Sequence, residues 1–132
     1  MDILLTLHSW TRWLIVVVGA LAFVKFLIGW LRKSSFQPMD RGLMSGFVGL
    51  MDLQLLLGLI LFIWGWIAAE TLVRFRAEHA FTMILAVALA HISRRWRNAD
   101  DNTRFRSYAL IILGVFILVF AGIAVLPQGW FG

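Results

Sequence analysis

The chain holds three histidines, His8, His79 and His91, and no cysteine. Imidazole is therefore its one side chain suited to binding a transition metal strongly. The missing thiols exclude iron–sulfur clusters, thiolate metal sites, covalent haem attachment and disulfides. His8 is followed four residues later by Arg12, so the two share one face if the segment is helical. A neutral imidazole can ligate iron axially, and a guanidinium can pair with a carboxylate in two-point geometry. Arg74 and Arg76 lie just ahead of His79 in the sequence and offer the same chemistry.

The elements that must position these groups are apolar helices. Of 132 residues, 61% are hydrophobic and 14% charged, with a mean hydropathy of +0.87. A soluble domain of this length cannot hide so much apolar surface. The pattern predicts an all-α membrane protein: one domain over 1–132, an up-down-up-down bundle of four transmembrane helices near 3–31, 43–69, 77–93 and 107–126. The spans are near the 20 or so residues needed to cross a bilayer, with the first two long and the third short. Short connections favour antiparallel neighbours. Ser34, Ser35, Pro38 and Asp40 supply turn chemistry to the first loop.

Charge sets the expected orientation. Arg32, Lys33, Arg41, Arg94, Arg95, Arg97, Arg104 and Arg106 fall in the first and third loops, against Arg12, Arg74 and Arg76 on the other side. The positive-inside rule then puts both termini outside, in a multi-pass protein of the bacterial inner (plasma) membrane. Trp10, Trp13, Trp64, Trp66 and Trp130 would mark the outer interface, Trp30 and Trp96 the inner one. The net charge of +5 and pI of about 11.1 belong to these loops, so the lipid bilayer is the expected partner and nucleic acid is not. Asp2 in place of a basic N-terminal region argues against a cleavable signal peptide.

On this topology His8 and His79 occupy one membrane level, on the first and third helices. That suits a b-type haem held by His8 and His79, with Arg12, Arg74 or Arg76 near its propionates. The plainer alternative has both histidines bonded to water, headgroups or loop carbonyls at the interface. His91 lies twelve residues beyond His79, about 120° around the helix. One helix thus does not present both to a single haem column, and His91 reads as an interfacial residue beside Ser93 and Arg94. A chlorophyll-type pigment is a further ligand open to a lone histidine. Lys25 and Asp52 are membrane-embedded charges that need a reason. An ion pair between them is one, and a proton or quinone site at Asp52 another, with Gln54 as a neutral companion; Lys25 could equally snorkel to the inner interface on its four-carbon stem. Gly46, Gly49, Gly58 and Gly65 read as close-packing positions on the second helix.

The stretch Leu7-His8-Ser9-Trp10-Thr11-Arg12-Trp13 resembles the HSxxRW opening of small bacterial four-helix membrane proteins described as cytochrome b-like. Asp52-Leu53-Gln54 through Gly58-Leu59 is similar to their second-helix motif, and Glu78-His79, Met83 and His91 to their third. The match spans most of the chain through short motifs. It implies haem ligation by His8 and His79, and by His91 as a third candidate. Position 52 is aspartate where the pattern has histidine, and a carboxylate is a poor axial ligand for such a haem.

The expected function is therefore haem-binding electron transfer near the periplasmic side, with haem b as cofactor and a membrane quinone as a candidate partner. A cofactor-free accessory subunit of a larger respiratory or photosynthetic complex is the alternative; other membrane subunits or further copies of the chain would be its partners. A small proton-coupled transporter using Asp52 or Lys25 comes third. A stand-alone enzyme is the least favoured, because no nucleophile triad or carboxylate pair is suggested by spacing.

Overall fold

The computed structural model describes residues 2–69 and 74–127. Trp130, placed above at the outer interface, lies outside the described residues. Four helices follow in order: α1 (Asp2–Leu31), α2 (Pro38–Ala69), α3 (Arg74–Ile92) and α4 (Asp101–Ala124). A short 3₁₀ turn, Ser93–Trp96, extends α3. Each of the four is long and apolar enough to cross a membrane. The chain is an all-helical, multi-pass membrane protein. Apolar side chains such as Leu21, Leu56, Phe81 and Ile117 point outward, as lipid-facing positions must.

Three helices begin earlier than hydropathy alone predicts, and capping explains two of the cases. In α2, Pro38 takes the first helical position, where its missing N–H costs nothing. Asp40 then reaches back, and its Oδ2 accepts the Gln37 backbone N–H at 2.8 Å. In α4, Asp100 is the N-cap, with Oδ2 accepting the Thr103 N–H at 3.1 Å. Residues 101–106, polar apart from Phe105, are therefore helix instead of loop, and Arg104 pairs with Asp101 at 2.9 Å. The third, α3, begins at Arg74, whose Nε donates to Glu78 at 2.8 Å across one turn. At the other end of the first loop, α1 closes with a Schellman motif. Lys33 adopts φ 52°, Ser34 N–H donates to Gly29 at 2.9 Å, and Lys33 N–H to Trp30 at 3.3 Å.

Packing is cyclic. α1 touches α2 and α4, and α3 touches the same two, which sets α1 diagonally across from α3. At the end carrying the basic loops the centre is aromatic. Phe26, Phe36, Phe105 and Tyr108 interlock with ring centroids 5.2 to 6.4 Å apart. The guanidinium of Arg104 covers the Phe36 ring at 4.0 Å. Close approach requires glycine at two positions on α1. A Cβ on Gly29 would sit 2.7 Å from Phe105, and one on Gly19 2.8 Å from Phe47.

Two readings are corrected by this geometry. Lys25 does not pair with Asp52; it reaches toward the basic-loop end and pairs with Asp40 at the start of α2. Its flexible stem lets the ammonium leave the hydrocarbon, and Asp40 meets both the ammonium and the Gln37 N–H while almost fully buried. Gly46 and Gly49 do not serve packing within the bundle, since a Cβ at either would meet nothing within 4 Å.

The glycines give a direct check. Gly19→Leu must displace Phe47 and Phe116 and should cost about 1–3 kcal/mol in reversible unfolding in detergent, whereas Gly46→Leu should leave stability within about 0.5 kcal/mol.

Candidate functional site

At the end of the bundle away from the basic loops, the helices splay around a cavity of about 370 Å³. His8 and Arg12 enter from α1, Gln54 from α2, and Arg76 and His79 from α3, so the helix periodicity that joins His8 to Arg12 delivers both to one wall. Apart from Ser9, the remaining surface is apolar, from residues such as Ile15, Met51, Leu55, Met83 and Val119. An apolar chamber with a few convergent polar groups is the usual form of a small-molecule or cofactor site.

The two imidazoles are held differently. His79 Nδ1 lies 2.9 Å from the Gly122 carbonyl oxygen, so the nitrogen donates and the neutral ring keeps its proton there. Nε2 is then a lone pair, and among the described residues nothing hydrogen-bonds to it. Gly122 permits this contact: a Cβ there would run into Met83 and lie 3.2 Å from Thr82. His8 lies against bare backbone of α2, with its Cε1 3.2 Å from where a Gly58 Cβ would be. Gln54 fixes the same junction by donating from Nε2 to the His8 carbonyl at 2.8 Å. His8 Nδ1 and Gln54 Oε1 are both buried without a hydrogen-bond partner.

Glycine on α2 thus makes room for polar side chains, which the packing interpretation missed. Gly58 accommodates the His8 ring, and Gly65 accommodates Arg76, whose Nη1 would be 2.9 Å from a Cβ. Of the three arginines proposed as propionate partners, Arg12 and Arg76 line the cavity. Arg74 does not: it is exposed and pairs with Glu78.

His91 is elsewhere. Its Nε2 meets Asp52 Oδ1 at 2.7 Å, bridging α3 to α2. It is therefore an interhelical partner and not a lone interfacial residue. The aspartate that departs from the family-like pattern is engaged here, and does not line the His8–His79 cavity. Two features of the site had little sequence signal. Gln54 is one neutral residue in an apolar run, and Gly58 could as well have been a packing glycine.

No family model, curated protein or solved structure matches the chain. The site is therefore argued from its own chemistry.

The pairing scheme predicts a specific coupling pattern. In double-mutant cycles, Asp52→Asn with His91→Gln should couple by about 0.5–1 kcal/mol, while Asp52→Asn with Lys25→Met should be additive within about 0.5 kcal/mol.

Proposed function

We propose that this protein is a membrane b-type cytochrome-like subunit, binding haem b between His8 and His79 and carrying electrons. The observation that carries this reading is the pair of imidazoles, from diagonally opposed helices, on the walls of one mostly apolar cavity. His79 is presented as metal-binding histidines generally are, with Nδ1–H donating to a backbone carbonyl and Nε2 left open.

When bound, haem would supply one-electron chemistry at its iron. The chain's residues do the rest. Gly122 fixes which His79 nitrogen is available, and Gly58 clears the space beside the His8 ring. Arg12 and Arg76 provide positive charge for two propionates. The apolar walls keep water away and disfavour added charge at the centre, a recognised lever on haem potential.

The arginine-rich ends of the helices support a cytoplasmic placement for that face. The cavity would then lie toward the periplasmic side of an inner membrane, with both termini outside. A colourless subunit of a larger complex is the competing outcome.

The test is a haem assay on protein purified in detergent and incubated with haemin. Wild type should show a Soret band and about one haem per chain by pyridine haemochrome. His8→Ala and His79→Ala should each lose most of it, and His91→Ala should keep it. A folded wild-type protein that takes up no haem would overturn the proposal.

A further inference from the structure

The second cavity, of about 400 Å³, opens between α2 and α3 at the basic-loop end. It shares no lining residue with the His8–His79 cavity. It is lined by Arg41 on α2, Arg94 on the 3₁₀ turn and Arg97 just after it. These three guanidinium groups make no ion pair or side-chain hydrogen bond with any described residue. Nearby Arg104 is already committed, to Asp101 and to the Arg97 carbonyl. The neighbouring acidic groups are committed too: Asp40 to Lys25, and Asp52 to His91. Three arginines on one concavity repel one another, and the arrangement calls for an anion.

The shape of the cavity indicates which anion. From Arg41 to Asp52 it follows α2 for about 16 Å at 1.5 Å rise per residue. Ser45, Ser93 and Tyr108 add hydroxyls to its lining, Met44, Val48 and Gly49 add apolar surface, and the carboxylate of Asp52, paired with His91, stands at the end of the groove farthest from Arg41 along α2. Gly49 is the bare floor of this groove, because a Cβ there would meet nothing within 4 Å. Three arginines, hydroxyls and an apolar stretch along one elongated groove match an amphipathic anion better than a free inorganic ion. Basic pockets between transmembrane helices bind acidic headgroups in this way.

We infer that the groove between α2 and α3 is a binding site for one anionic phospholipid, its phosphate held by Arg41, Arg94 and Arg97 and its glycerol and upper acyl chain laid along Val48 and Gly49. The lipid would bridge α2 to the 3₁₀ turn at the same junction that Asp52 and His91 clasp deeper in.

Native mass spectrometry of the full chain in detergent, titrated with phosphatidylglycerol or phosphatidylcholine, tests this. Wild type should bind phosphatidylglycerol about tenfold more tightly than phosphatidylcholine. The triple variant Arg41→Gln/Arg94→Gln/Arg97→Gln should lose about tenfold or more in phosphatidylglycerol affinity. A charge-matched control, Arg32→Gln/Lys33→Gln/Arg95→Gln, should lose less than about threefold. Gly49→Leu changes no charge and should weaken binding comparably to the triple variant. Equal losses in the two triple variants would mean diffuse surface charge and overturn the site. Wild-type binding by Gly49→Leu would overturn the placement along the groove. Displacement of the lipid by equimolar inorganic phosphate would make this a free-anion pocket and overturn the lipid assignment.

Discussion

A polar group carried into hydrocarbon must find its partner inside the bundle, because lipid offers none. The arrangement of this protein follows from how each such group meets that demand. Lys25 leaves the hydrocarbon along its own stem and ends on Asp40. His91 and Asp52 satisfy each other across the α2–α3 seam. His79 uses a helix carbonyl that Gly122 exposes, and Gln54 uses the carbonyl of His8. After this accounting, buried atoms still lacking a hydrogen bond include His8 Nδ1 and Gln54 Oε1 beside the His8–His79 cavity, and Arg104 Nε at the basic-loop end. Satisfied polar groups hold the helices in register.

The two ends of the bundle divide the work. Toward the basic loops, interlocked aromatic rings fill the centre and side-chain caps start α2 and α4. This half is a scaffold, and its open surface is the groove outside the core, under Arg41 and Arg94. Toward the other end the core thins, glycines replace side chains on α2 and α4, and polar groups enter. Glycine therefore has two opposite uses here. Gly19 and Gly29 let helices close on aromatic rings, whereas Gly58 and Gly65 admit a histidine and an arginine.

The four spans were legible in the sequence because hydropathy over some twenty residues is a strong, local signal. Helix starts were less so. Pro38 and Asp100 begin helices in polar stretches that hydropathy scores as loop, and only their capping chemistry announces them. The level of His8 and His79 followed from counting residues along antiparallel helices. Whether they face one cavity depends on helix rotation, which packing sets. The same limit explains the mispaired Lys25 and Asp52: depth suggested they could meet, but Asp40, taken for a turn residue, sits within reach of Lys25, and Asp52 faces α3. The glycines failed for a related reason, since a bare backbone position looks alike in sequence whether a ring, a guanidinium or open space lies opposite.

The central claim is that two imidazoles from α1 and α3 converge on one centre. Electron paramagnetic resonance of the ferric, haem-loaded protein tests that most directly, because it reports both axial ligands at once. The account predicts a low-spin signal characteristic of two imidazoles, converting to high spin when either His8 or His79 is replaced by glycine and returning on addition of free imidazole. A high-spin wild-type signal, or a low-spin one unchanged by both substitutions, would contradict it.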